Sequence, residues 1–296
     1  MSQLLLLSAC APRPSSLPGS PPKPRAAGPR APTPESYDVR LELDIARRTF
    51  RGDAVLGLAG PGPSRLVLDA ADLTIERVAC NGVPVEFVAH NEKLSVDLPA
   101  SDRSRLEIRY AGASSEGLRI HDDHAFTGFD TRRWLPCDFS PGSRAPIRIA
   151  VASSRDWIGV GSGATDLGRV KASDVARFSL TTPHPAYLFG FAVGDFWRAS
   201  SRAGATEFAL LATRRSPRDA AQCLAAVERA AEFFHRASGI AYPFESFTLV
   251  LARGTKGQEK AAFALLDEDW IWEWLGDARE DWPRSTSSPT VGGATS

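Results

Sequence analysis

The sequence is poor in the residues that build metal and redox centres. Its four cysteines, Cys10, Cys80, Cys137 and Cys223, stand far apart with no Cys-x-x-Cys among them, which excludes a zinc knuckle or a disulfide framework as the basis of the fold. The five histidines, His90, His121, His124, His184 and His235, form no His-Glu-x-x-His. That pattern holds zinc because two imidazoles four apart share a helix face, while the glutamate activates the bound water. His121 and His124 enclose two aspartates in a turn-like stretch and read as a surface loop. Neither charge is in excess, since 35 Lys and Arg balance 35 Asp and Glu. No overall field draws the chain to nucleic acid, and no basic run with interleaved aromatics offers a base-stacking surface. Long apolar runs are missing too, and with them any candidate helix able to cross a bilayer.

Proline, in contrast, is concentrated. Residues 11–36 carry so many prolines that neither helix nor sheet is expected there, and the tract reads as a semi-extended tether. Before it, a leucine run leads into Leu7-Ser8-Ala9-Cys10. This resembles the lipobox of bacterial lipoproteins, which is cut before a cysteine whose thiol then carries lipid, although the apolar run is short and no Lys or Arg precedes it. Residues 1–36 are expected to form a lipoprotein-type signal and tether, placing the chain in the cell envelope, on the periplasmic side of a membrane or at the cell surface. The alternative is a cytoplasmic chain, if Met1 is the true start and no signal operates. On the first reading, Cys10→Ser shifts the chain out of the detergent phase; identical partitioning of both forms, with Met1 intact, contradicts it.

From Tyr37 the pattern takes period two, with Tyr37, Val39, Leu41, Leu43 and Ile45 on one side and Asp38, Arg40, Glu42 and Asp44 on the other, the mark of a half-buried strand. Short strands are expected at 66–68, 83–87, 94–98, 106–110, 147–151 and 178–180, separated by turns such as Asn81-Gly82. With no helical pattern between them, they imply antiparallel sheets packed as a saddle or sandwich over residues 37–204. The character then changes. Ser216, Pro217 and Asp219 open a helix that Gly239 closes, with Ala220, Leu224, Val227, Ala231 and Phe234 along one face. A strand at 247–251 follows, so residues 205–269 begin a second, α+β domain. In the last 27 residues, 270–296, Trp270, Trp272, Trp274 and Trp282 precede a Ser/Thr/Gly-rich end, which reads as a divergent tail.

Five stretches, in order, resemble the opening part of an M1-type zinc aminopeptidase: YDVRLELDIARRTFRGDAVLGL, LVLDAADLTIERVACNG, TRRWLPCDFSPGSRAPIRIAV, TTPHPAYLFGFAVGDF and IAYPFESFTLVLARGTKGQEKAAF. The resemblance covers nearly all of residues 37–266. It implies a β saddle followed by a thermolysin-like catalytic domain, and a Gly-x-Met-Glu-Asn edge strand that binds the free amino end of a peptide. Aligned on the carboxylate, residues 256–260 fall on that motif, with Glu259 as the amine anchor and Gly257 and Gln258 beside it; Lys256 and Lys260 replace the family's Gly and Asn. A carboxylate at a cleft edge pairs with an ammonium while main-chain groups take the peptide as an added strand. Taken without the resemblance, Glu259 between two lysines reads as a solvated side chain. The Gln that many family members supply from the saddle has no counterpart here, where Gly128 stands near its place. Trp134, Pro136 and Cys137 read as packing at a sheet corner.

The resemblance also implies zinc in the intact family, bound by a His-Glu-x-x-His helix and a further Glu. This sequence contains neither, so no catalytic or metal-binding residue is assigned in it and the chain is expected to be truncated before that helix and inactive as written. One reading of its end is a frameshift or premature stop near Trp270; the alternative is a natural divergent tail. The expected partner is the N-terminus of a peptide. A different class of function stays open beside this one: a non-catalytic, membrane-tethered module that binds a peptide or protein.

Overall fold

The computed structural model describes residues 32–60, 64–163, 169–172 and 174–276. Cys10, the Pro-rich tract to residue 31, and Trp282 lie outside the described residues.

The long strand Thr33–Asp44 lies inside a seven-stranded sheet, and it starts earlier than the Pro-rich composition of 11–36 suggests: Thr33, Pro34 and Ser36 already pair with Ala59, Leu58 and Gly57, with a bulge at Glu35. Tyr37, Val39, Leu41 and Leu43 are buried while Asp38, Arg40 and Glu42 flank them on the other side. Across the sheet the order is 175–185, 144–152, 33–44, 49–59, 103–113, 74–80 and 83–84. The pairing differs from a purely antiparallel expectation at one place, where 33–44 runs parallel to 144–152. Some hundred residues separate the two, ample for the crossover that a parallel pair needs. A small sheet of Ser64–Asp69, Lys93–Leu98 and Phe87–His90 adds Leu66, Leu68, Leu94 and Val96 to the same core.

A second sheet, ordered 169–170, 157–161, 191–194, 124–127 and 118–120, lies between this core and the rest of the chain. Its two faces divide accordingly. Ala125, Trp157, Phe191 and Val193 pack into the large core, whereas Phe126, Val160 and Ala192 join Phe196 against Leu211, Val250, Ala252, Phe263 and Leu265 of a third sheet.

That third sheet runs 197–203, 206–212, 246–251, 263–266, 258–260, with residue 204 in the turn between its first two strands. Its far face is covered by helices α1 (Pro217–Ser238) and α2 (Glu268–Gly276), through Ala220, Cys223, Leu224, Ile271 and Trp272. Helix α1 begins and ends where the sequence says, with Gly239 in the left-handed region at φ 70° and its N–H bonded to the His235 carbonyl. Two details differ. The Ser216 hydroxyl bonds the Asp219 carboxylate rather than a backbone N–H. The helix also outruns its sheet, so Phe234, expected on the buried face, is 67% exposed, with Phe233 and Ile240 beside it in the open. Helix α2 is tied down by its first residue: the buried Glu268 carboxylate accepts from the Thr213 hydroxyl and, at 2.8 Å, from the Arg214 N–H. Trp270 is exposed and Trp272 buried.

Candidate site at the sheet margin

The edge strand Gln258–Lys260 is the last of the third sheet, paired only on one side, antiparallel to 263–266 through Gln258↔Leu265, Glu259↔Ala264 and Lys260↔Phe263. Gly257 leads into it at φ 86° and Ala262 closes the turn at φ 76°. Gly257 is therefore required for backbone conformation more than for space. Successive side chains of a strand point to opposite faces, and here the alternation is complete. Gln258 and Lys260 turn inward and are buried, and Glu259 points out to solvent. The Gln258 amide nitrogen is buried without a hydrogen-bond partner among the described residues.

Lys260 enters a built cradle. Its Nζ donates to the carbonyl oxygens of Gly128 and Tyr187, each at 3.0 Å. Burial pushes the amine down to about 7, against the opposing pull of the Glu259 charge. Around its stem, a Cβ placed on Gly190 would come within 2.9 Å of Lys260 Cε and 2.4 Å of Thr127 Oγ1. The same strand turn is bonded to the β region through its backbone, Ala261 N–H to the Leu188 carbonyl and Gly163 N–H to the Ala261 carbonyl, both at 3.2 Å.

Gly128 explains an absence. A Cβ there would lie 1.7 Å from the Glu116 carbonyl oxygen, so no glutamine fits at this position without moving backbone. The neighbouring Trp-Leu-Pro-Cys corner packs as its composition suggests. Trp134 and Cys137 are fully buried, Cys137 and Asp69 exchange backbone hydrogen bonds, and Ala71 N–H bonds the Arg132 carbonyl. The LDAADL and RRWLPC segments thus meet directly. Burial holds the Cys137 thiol well above its ordinary range, which makes it inert.

The His121–His124 segment is not the surface loop its sequence suggests. His124 is fully buried at the start of strand 124–127, with its ring stacked on His121 at 4.5 Å between centroids and parallel to Phe126. Its Nδ1 lies 2.7 Å from Asp123, which also accepts from Arg253 at 2.5 Å. Burial lowers both histidines' pKa, outweighing the Asp123 carboxylate. An aromatic two residues on, in a hairpin too short to leave the sheet, was the one local sign of this burial. Among the described residues no three His, Cys, Asp or Glu side chains are grouped to hold a metal.

No protein-family model matches the chain. Among curated proteins it is 24% identical over 180 residues to the Tricorn protease-interacting factor F2 of Thermoplasma acidophilum, covering 57% of this chain and 23% of that one. Aminopeptidase M1-B of Oryza sativa subsp. japonica is 30% identical over 147 residues, covering 42% and 17%. The chain therefore spans less than a quarter of the length of these two relatives, as those shares of 23% and 17% state. A solved M1 zinc metallopeptidase of Deinococcus radiodurans, a variant bound to a Tyr-Ser-Ala substrate, superposes with a TM-score of 0.66 at 20% identity, over 81% of this chain and 61% of that chain. The fold is that of an M1 peptidase N-terminal β domain. The chain is a relative of the M1 aminopeptidases.

Proposed function

We propose that the edge strand 258–260 is the amine-binding wall of an M1-type aminopeptidase cleft, in which Glu259 receives the ammonium of a peptide's first residue. The observation that carries this is the alternation on the strand: of three consecutive polar side chains, the two neighbours are buried and only the carboxylate is presented outward, on the unpaired margin of a sheet. A charge-assisted hydrogen bond to that carboxylate gives affinity, and the open strand edge can take the peptide backbone as an added strand. The parent reaction is zinc-dependent removal of N-terminal residues. No zinc-ligand set fits the residues described, and the sequence contains no His-Glu-x-x-His, so the role assigned to these residues is peptide binding and no hydrolytic step is derived from them.

Calorimetry on the full chain tests the reading with Ala-Ala-Ala and its N-acetyl form. The free tripeptide is expected to bind more tightly, and Glu259→Gln to cost it about tenfold, the weight of one charged hydrogen bond. Equal binding of the two peptides to the wild-type chain defeats the proposal.

A further inference from the structure

Two of the five stretches that carry the family resemblance, and the AFTGFD segment just ahead of a third, converge on one side chain. AFTGFD brings the Gly128 carbonyl, TTPHPAYLFGF brings the Tyr187 carbonyl and the gap at Gly190, and KGQEK brings Lys260 itself. We propose that Lys260 is the positioning residue of the amine site: its amino group, bonded to two carbonyls of the β region, fastens the marginal strand so that Glu259 is held out at a fixed place. This rests on the reading of Glu259 given above. Lys260 touches no substrate and acts through its neighbour.

The chemistry of the cradle favours an uncharged amine. A neutral amine has two N–H donors, and two carbonyl acceptors meet them among the described residues; an ammonium brings a third donor and a buried charge. The elements packed around it supply no counter-ion: Tyr187 is the titratable residue of the 186–188 turn, Thr127 and Gly128 come from the strand end at 127, and Gly190 from the start of strand 191–194. Glu259 is the charged group that acts on it. With its amine brought down to about 7, Lys260 is neutral in mildly alkaline solution and sets no positive charge of its own beside Glu259. Acidification restores that charge one residue away and strains the cradle at once.

The sign of the stability effect follows. Between about 7 and the ordinary lysine value of 10.5 the folded chain binds fewer protons here than the unfolded chain, so Lys260 makes stability rise with pH across that window.

The test uses the full chain, wild type and Lys260→Met, with Ala-Ala-Ala and its N-acetyl form between pH 6 and 9. At pH 8 the variant is expected to bind the free tripeptide about tenfold more weakly, by the loss of the two hydrogen bonds that hold the strand. The ratio of the two affinities cancels the peptide's own titration near 8, as a peptide amine titrates there. It should shrink towards pH 6, where the wild type loses its neutral lysine. Hydrogen exchange of the 258–260 amides should be faster in the variant, and the rise of stability with pH above 7 should flatten. A ratio near one at every pH, with unchanged exchange at 258–260, overturns the proposal. Should Lys260→Met not fold, lysine side-chain NMR on the wild type decides, since a Lys260 amine titrating in the ordinary lysine range also overturns it. Should free and acetylated peptides bind alike, the amine role of Glu259 fails, while the exchange measurement still decides whether Lys260 fastens the strand.

Discussion

At the scale of single residues, the site depends on groups that are missing. Gly190 leaves the channel through which the Lys260 stem passes, and a methyl there would press on Thr127 Oγ1 at 2.4 Å as well as on the lysine. Thr127 has little freedom to withdraw: its hydroxyl accepts from the Phe191 N–H at 3.0 Å and lies 3.2 Å from the Phe191 carbonyl. Gly190→Ala is therefore expected to cost about 1–3 kcal/mol, the usual effect of forcing an extra methyl into packed surroundings. Gly142→Ala, where an added Cβ meets nothing within 4 Å, is the control, expected within about 0.5 kcal/mol of wild type as for most surface changes. Urea unfolding of both variants gives the comparison, and equal stabilities would show that the cradle is looser than its distances imply.

At the scale of elements, what could be read from the sequence depended on how many faces an element buries. Strand 33–44 is legible from Tyr37 onward, where one face is wet and the alternation survives; its first residues, 33–36, fall in the Pro-rich tract that composition marks as a tether. Helix α1 was legible because Ser216-Pro217 opens it, Gly239 closes it and its first three turns keep a helical period. The strands 124–127, 157–161 and 191–194 carry no such mark. They are buried almost throughout, as HAFT and FAVG are at every position, since the second sheet has protein on both faces. A strand buried on both sides loses its period and cannot be told from any short apolar run. The site was half legible in the same sense. Glu259 could be picked out only by aligning the edge strand with a known motif. Lys260 could not be picked out at all, because its two carbonyl partners lie 132 and 73 residues away and a lysine beside a glutamate reads locally as a solvated pair.

At the scale of the whole molecule, the layers are joined by a core that neither half owns. Phe126, Val160, Ala192 and Phe196 from the β region meet Leu211, Val250, Ala252, Phe263 and Leu265 from the third sheet. Phe263, fully buried, sits opposite Lys260 in the edge-strand pairing, so this core also underlies the candidate site. Truncating it removes apolar contacts from both sides together, and Phe263→Ala is expected to cost about 3–5 kcal/mol, as for large aromatic truncations in close-packed interiors. If the shared core couples the layers, unfolding should stay a single transition in this variant, with tryptophan fluorescence and far-ultraviolet circular dichroism coinciding. A fragment of residues 32–204 should bind an apolar dye such as ANS, because its cut lays bare Phe126, Val160, Ala192 and Phe196 as one patch. Two separate transitions in Phe263→Ala, or a fragment that ignores the dye and melts with the full chain, would mean that the β region stands alone and that Glu259 is carried on a part free to move against it.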